Sequence, residues 1–284
     1  MSAAVKPKVL ILGAQGMLGT DLAHTLAGKC GLFLWDKEEL DVTNERLVGE
    51  KIANLAPEII INATGYTDVD GAEDNKEMAF KINDEAVRYL ATAATATNAK
   101  LVHFSTEYVF DGTVEAGYNE SAKPQPLNVY GQSKAAGERH VTSYKQGYLV
   151  RSSWLFGHAP QLGKPRGMNF VDTMLKLTET KAEIKVVNDQ YGNPTSTRDL
   201  AAAVYALVTG EYKPGIYHLV NDKRATWYEV AKEVFKLRGI TVPLKPITSA
   251  DYPTKAKRPK YAVLLNTKFP KLRPWATALR DYLA

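Results

Sequence analysis

The sequence predicts an α/β fold: a doubly wound parallel sheet of Rossmann-like type with a smaller C-terminal α/β substrate-binding portion. Three observations carry the prediction. Short, continuous runs of branched apolar residues recur along the first half and end in glycine or polar turns, as buried parallel strands do. Helical patterns separate these runs, and strands alternating with helices build parallel sheets. A glycine-rich turn joins the first run to the first helical pattern, the arrangement in which a tight turn and a helix N-terminus together suit a pyrophosphate.

The first run is Lys8-Val9-Leu10-Ile11-Leu12, followed by Gly13-Ala14-Gln15-Gly16-Met17-Leu18-Gly19 and a helical pattern through Leu22, Ala23 and Leu26. The spacing is Gly-x-x-Gly-x-x-Gly, and glycine at these positions allows close backbone approach to a dinucleotide. The second strand, Leu32 to Trp35, ends at Asp36, about 20 residues beyond the middle glycine, where a carboxylate can bond a ribose 2′-hydroxyl. That acid favours NADH over NADPH, although Lys37 beside it is available to a 2′-phosphate. Asp41-Val42-Thr43-Asn44 reads as the cap of a helix through Leu47, Val48 and Ile52. The third strand, Glu58 to Asn62, ends at Ala63-Thr64-Gly65-Tyr66, and ligands bind at the carboxyl ends of such strands, so this turn is a candidate cofactor wall.

An alanine-rich helix is expected from about Asn83 to Ala96, then a fourth strand, Lys100 to Phe104, that delivers Ser105-Thr106-Glu107 to the same crevice. Residues 111 to 128, with Gly112, Gly117, Pro124 and Pro126, lack apolar periodicity and read as a functional loop. Asn128-Val129-Tyr130-Gly131-Gln132-Ser133-Lys134 follows. On a helix, Tyr130 and Lys134 share one face, and a cation beside a phenol favours the phenolate, moving the hydroxyl down from its ordinary pKa of about 10. Tyr130 is therefore a candidate general acid or base. A Tyr-x-x-x-Lys pair also arises by chance; the glycine turn and the Ser-Thr-Glu stretch before it give it weight. A fifth strand, Tyr148 to Arg151, completes the regular part, and Thr106 at the end of the fourth is placed to bond a substrate oxygen.

Beyond Trp154-Leu155-Phe156-Gly157 the pattern loosens, with a Gly/Pro-rich segment from His158 to Gly167 expected to be mobile. A helix near 169–177, a strand at 184–187, Asn193-Pro194-Thr195, a strand at 215–220 and flanking helices near 198–208 and 227–237 come next. The expected division is 1–153 mainly NAD(P)-binding and 154–284 mainly substrate-binding, with some segments returning to the first domain. The lysines and arginines between Lys255 and Arg273 read mostly as solvated surface.

Composition narrows the chemistry. A net charge of +5 and a pI near 9.0 suit phosphate-bearing small molecules, and no basic-aromatic array points to nucleic acid. The single cysteine, Cys30, excludes an internal disulfide and a cysteine-based zinc cluster, and the five histidines show no ligand spacing, so the metal residues stay unknown. The N-terminal apolar run is too short for a signal peptide and no stretch is long enough to span a membrane, so a cytoplasmic protein with no membrane partner is expected.

Taken in order, these motifs resemble the extended short-chain dehydrogenase/reductases of the nucleotide-sugar branch, and within it the dTDP-4-dehydrorhamnose reductase family, from residue 8 nearly to the end. The resemblance rests on the glycine turn, Asn62 to Asp70, Ser105 to Gly112, Pro126 to Gly131 with Lys134, Arg151 to Gly157, Asn188 to Thr195 and Arg258-Pro259. It implies a catalytic set of Thr106, Tyr130 and Lys134, with Tyr130 protonating a 4-keto oxygen as hydride reaches C4. It also implies a dinucleotide, NADH or NADPH, lined by Gly13, Gly16, Met17, Leu18, Gly19, Asp36, Asp41, Val42, Ala63, Gly65, Tyr66, Thr67, Tyr130 and Lys134. The dTDP-sugar would meet Thr106, Glu107, Trp154, Asn169 and Arg258. A homodimer is implied, and Mg2+ is possible. Two departures stand out: Glu107 where the family usually has aspartate, and Tyr261 where serine is common. A dehydratase would carry an Asp-Glu pair after the threonine, and here Glu107 is followed by Tyr108. Other readings are a reductase or epimerase of another nucleotide sugar, and a non-catalytic dinucleotide-binding subunit like methionine adenosyltransferase beta. Intact Thr106, Tyr130 and Lys134 weigh against the last.

Overall fold

The computed structural model describes residues 6–163 and 167–284. The first half alternates as the sequence predicts: β1 (Lys8–Leu12), α1 (Met17–Leu26), β2 (Gly31–Trp35), α2 (Glu45–Leu55), β3 (Ile59–Asn62), α3 (Lys76–Phe80), α4 (Ala86–Thr97), β4 (Lys100–Thr106), α5 (Val129–Thr142) and β5 (Gly147–Ser152). The second half supplies β6 (Leu155–Phe156), α6 (Phe170–Thr178), β7 (Ile184–Val187), β8 (Tyr191–Gly192), β9 (Thr195–Ser196), α7 (Thr197–Thr209), β10 (Gly215–His218), β11 (Ala225–Thr226), α8 (Trp227–Arg238), β12 (Leu244–Ile247) and α9 (Trp275–Leu283).

Six strands form one parallel sheet in the order β10-β5-β4-β3-β1-β2. The order reverses between β1 and β3, so their carboxyl ends open a crevice, the usual ligand position in such sheets. Alternation along β1 fills two cores. Val9 and Ile11 pack with Leu18, Leu22, Leu200 and Val204 of α1 and α7, and Leu10 and Leu12 pack with Val48, Ile52, Val87 and Leu90 of α2 and α4. A third core gathers Phe156, Val171, Met174, Ile184, Val230, Val234, Trp275 and Leu279 in the second half.

Two expectations change. The alanine-rich helix begins earlier, at Lys76, and passes through a π-helical turn at Lys81–Glu85 before α4. A π turn inserts one extra residue per turn; here it carries Asn83, fully buried and bonded to both backbone groups of Tyr66. The strand expected over 215–220 pairs with β5 only through His218, after which Leu219 bonds Arg151. Of the segment expected to be mobile, residues 164–166 lie outside those described, as does the N-terminal pentapeptide. No helix among the described residues is long and apolar enough to cross a membrane.

Candidate active site

β1 hands the chain to Gly13, whose φ of +74° lies in the left-handed region that glycine adopts without strain. A Cβ there would stand 3.1 Å from the backbone of Ala63 and Thr64, so the turn presses on the end of β3. Gly16 caps α1 without a side-chain hydrogen bond, which leaves first-turn N–H groups for a ligand. Gly19 lies behind them, where a Cβ would fall 2.0 Å from the Gly13 carbonyl oxygen. Beside this turn is a cleft of about 640 Å3 lined by Gly13, Gly16, Met17, Leu18, Asp36, Asp41, Val42, Ala63, Gly65, Thr67, Tyr130 and Lys134.

The Asp36 carboxylate accepts the Gln15 N–H at 3.1 Å, and burial raises its pKa above the ordinary value. Asp41 accepts the Thr43 hydroxyl at 2.7 Å and its N–H at 2.9 Å, which hold its carboxyl below the usual range. Asn44 is the cap of α2, accepting the Leu47 N–H at 3.1 Å. Lys37 is exposed at the mouth of the cleft. Tyr66 is not one of the lining residues: its backbone is held by Asn83, and its hydroxyl runs toward Gly71.

Asn128 caps α5. Its oxygen accepts the Gly131 N–H at 2.8 Å and its amide donates to the Lys257 carbonyl at 2.9 Å, fixing where Tyr130 emerges. Thr106, at the end of β4, donates to Glu107 at 2.7 Å and accepts the Tyr108 N–H at 3.2 Å, and it acts on the Tyr130 hydroxyl in the direction that favours its phenolate. Lys134, buried on α5, donates to the Phe104 carbonyl at 2.6 Å and lies 3.4 Å from His103 Nε2. Burial brings its pKa down to about 8, against the pull of Glu138.

The expected lowering of the Tyr130 pKa by Lys134 is not seen. Burial, and then the Glu107 charge, push the hydroxyl above its ordinary value; only the Thr106 hydrogen bond acts the other way. The protonated phenol is the resting form, as a proton donor requires.

A second, smaller cavity of about 190 Å3 lies on the other side of Tyr130. Its walls are apolar at Trp154, Phe156, Phe170, Val171, Trp227 and Val230 and polar at Thr106, Glu107, Tyr108, Ser152 and Ser153. Trp154, at φ +47°, stacks on Trp227 with ring centroids 3.5 Å apart. Six residues border both cavities: Thr67, Phe104, Ser105, Tyr130, Leu155 and Gln161. Two of them, through Thr67 Oγ1 and Gln161 Oε1, bring buried polar atoms without a hydrogen-bond partner to this junction. Such orphans are costly unless a ligand or water completes them.

Asn169 is placed differently from the expectation that it meets substrate. It is buried as the cap of α6, accepting the Asp172 N–H at 3.1 Å and donating to the Gly157 carbonyl at 3.1 Å, to Asp172 at 2.7 Å and to the Tyr282 hydroxyl at 3.1 Å. Its neighbours Phe170 and Val171 line the cavity instead. Arg258 donates to Asp70 at 2.7 Å, its guanidinium is 5.8 Å from the Tyr108 ring centroid, and its Nη1 is buried with no partner.

With that geometry in hand, likeness to known proteins becomes informative. The family described as RmlD substrate binding domain matches residues 7–284. The chain belongs to this family. Among relatives of the RmlD-family chain, a dTDP-4-dehydrorhamnose reductase of Aggregatibacter actinomycetemcomitans is 39% identical over 98% of this chain and 98% of its own. The spore coat polysaccharide biosynthesis protein SpsK of Bacillus subtilis is 38% identical over 97% of this chain and 96% of its own. A dTDP-4-dehydrorhamnose reductase from Bacillus anthracis, solved in complex with NADP, superimposes with a TM-score of 0.92 at 36% identity, covering 98% of this chain and 99% of that one.

Sequence reasoning missed four residues that shape the site of this RmlD-family chain. Trp227 and Gln161 stand in stretches with no motif around them. Asn83 was visible only as the start of a helix. His103 sits inside an apolar strand, where a lone histidine carries no signal. For Mg2+, the described residues offer no cluster of three or more His, Cys, Asp or Glu able to hold a metal.

Proposed function

We propose that this protein reduces the C4 ketone of dTDP-4-dehydro-L-rhamnose to dTDP-L-rhamnose at the expense of NADH or NADPH, within cell-surface polysaccharide biosynthesis. The observation that carries this reading is the position of Tyr130 on the wall between the glycine-turn cleft and the aromatic-lined cavity. A proton donor there reaches a carbonyl in one cavity while its other side faces the dinucleotide.

The cleft suits a dinucleotide: the uncapped start of α1 would hold the diphosphate, Asp36 and Lys37 would meet the adenosine ribose, and Thr67 Oγ1 and Gln161 Oε1 offer unpartnered polar atoms at the junction. The reduced nicotinamide supplies the hydride. Tyr130 gives its proton to the oxygen that becomes the C4 hydroxyl, and Thr106, which borders the same cavity, is placed to bond that oxygen. Lys134 supplies a positive charge on the same helix face as the phenolate left behind. Trp154, Trp227 and Phe170 exclude water from the sugar, Glu107 borders the same cavity, and Arg258, with its buried unpartnered Nη1, is the cation offered to the nucleotide. Residues 1–153 work mainly on the dinucleotide and 154–284 mainly on the sugar nucleotide, with β10 and α7 returning to the sheet side. We assign a homodimer as the working unit.

The test is oxidation of NADH and NADPH in the presence of enzymatically prepared dTDP-4-dehydro-L-rhamnose, compared with the same assay on other dTDP- and UDP-keto-sugars. Turnover with the first sugar and recovery of dTDP-L-rhamnose is the expected result. Tight coenzyme binding with no oxidation on any keto-sugar would replace the reductase by a binding subunit.

A further inference from the structure

Behind Lys134 runs a chain of buried hydrogen bonds that the reaction as described leaves unused. Asn62, His103 and Lys134 are each no more than 5% exposed and connect the end of β3 and the middle of β4 to α5. The Asn62 oxygen accepts two donors from Thr64, the N–H at 3.1 Å and the hydroxyl at 2.6 Å. A backbone N–H cannot reverse its polarity, so the amide is held with its NH2 toward His103, 3.0 Å from Nδ1. Nδ1 must accept, and the ring proton must sit on Nε2. A second proton is excluded because burial and the Lys134 charge hold the His103 pKa well below its ordinary value.

The Nε2–H thus points at Lys134 Nζ, 3.4 Å away. An ammonium has donors only and cannot accept it; a neutral amine has a lone pair that can, while still donating to the Phe104 carbonyl at 2.6 Å. We propose that His103 is a positioning residue for Lys134: with its tautomer locked by Asn62 and Thr64, it stabilises the neutral amine and so sets how readily Lys134 gives up a proton in the cleft. In that step an N–H bond of the ammonium breaks, the proton passes to water, and the amine left behind accepts the His103 Nε2–H. No oxidant or reductant is needed.

Other charged or titratable groups around Lys134 do not replace this effect. Glu138, one turn along α5, favours the ammonium, but its carboxylate is already bonded by Arg151 of β5 at 2.6 and 2.8 Å and by Ser105 of β4 at 2.6 Å. Tyr130 on α5, Lys81 on the π-helical turn, and Asp36 and Asp41 beyond β2 share the cleft with Lys134. None of them donates to its nitrogen among the described hydrogen bonds.

The functional consequence rests on the reductase reading, but the test does not, because it is made on the coenzyme-free protein without turnover. Nitrogen-15 NMR of the histidine rings reports the tautomer of His103, and NMR titration of labelled lysine reports the charge of Lys134. We expect the proton on Nε2, and Lys134 titrating near 8 in the unaltered chain. His103→Phe removes the donor and should raise the proton affinity of Lys134 about tenfold, one pH unit. His103→Gln keeps an N–H toward Lys134 and an oxygen toward Asn62, and should restore the original titration. A proton on Nδ1, an unshifted titration in His103→Phe, or equal shifts in the Phe and Gln variants would overturn the proposal. Should His103→Phe not fold, the tautomer in the unaltered protein and the His103→Gln titration decide the matter.

Discussion

At the scale of single residues, the site depends on where protons rest. Tyr130 rests protonated because burial and Glu107 raise it, so its replacement should remove the proton without disturbing the dinucleotide cleft. Tyr130→Phe should lower kcat by roughly 10²- to 10⁴-fold, the usual share of a general acid, with an unchanged coenzyme Kd measured by fluorescence titration. Lys37 is the exposed cation beside Asp36. Lys37→Glu should lower kcat/KM for NADPH relative to NADH, read by assaying both coenzymes side by side; an unchanged ratio would remove Lys37 from the ribose site. His218 illustrates the same logic in stability. It is fully buried, with Nε2 3.4 Å from Arg151 and Nδ1 3.2 Å from the Leu265 carbonyl, and burial holds its pKa down to about 4. The unfolded chain takes up this proton near pH 6.5 and the folded one refuses it until about pH 4, so stability falls as pH drops through that window and levels off below it. His218→Asn should flatten that slope in a series of melting temperatures between neutral pH and pH 4.

At the scale of elements, α5 carries the chemistry and its placement is set from outside the helix. Asn128 both caps it and ties it to the carbonyl of Lys257. Asn128→Ala should cost roughly 1–2 kcal/mol in denaturant unfolding, the upper range for a lost cap, because both bonds go together. The strands and most helices were legible in the sequence, since strands buried on both faces read as continuous apolar runs and helices buried on one face repeat apolar residues at a period of 3.6. The π turn was not. Asn83 forces it through its bonds to Tyr66 and to Ser133 on α5, at 2.9 to 3.0 Å, and none of these partners is near it in the chain. Asn169 failed as a substrate contact for the same reason: its position next to the cavity was legible, but its partners Gly157 and Tyr282 lie in other elements.

At the scale of the whole molecule, the two halves are joined by a strap. Asp70 accepts the Ala256 N–H at 2.9 Å and Arg258 at 2.7 Å, Lys255 pairs with Asp74, and the Tyr261 N–H donates to the Gly112 carbonyl at 3.1 Å. Asp70→Ala should loosen this strap, raising KM for the sugar nucleotide several-fold while the coenzyme Kd stays constant; steady-state kinetics against each substrate separates the two. A buried pair deeper in the molecule, Glu138 with Arg151, holds α5 to β5. Removing one partner leaves an uncompensated buried charge, and Arg151→Met should therefore destabilise the fold by about 3–5 kcal/mol. By itself the sequence determined the alternating sheet and the glycine turn, and singled out Thr106, Tyr130 and Lys134 as candidates, because local periodicity and motif spacing record constraints that neighbouring residues satisfy together. Only the tertiary structure decided that Trp227 and Gln161 complete the cavities, that Arg258 answers Asp70, and that His103 stands behind Lys134. Those contacts join residues 31 to 188 positions apart, and a linear pattern carries no record of distance across a fold.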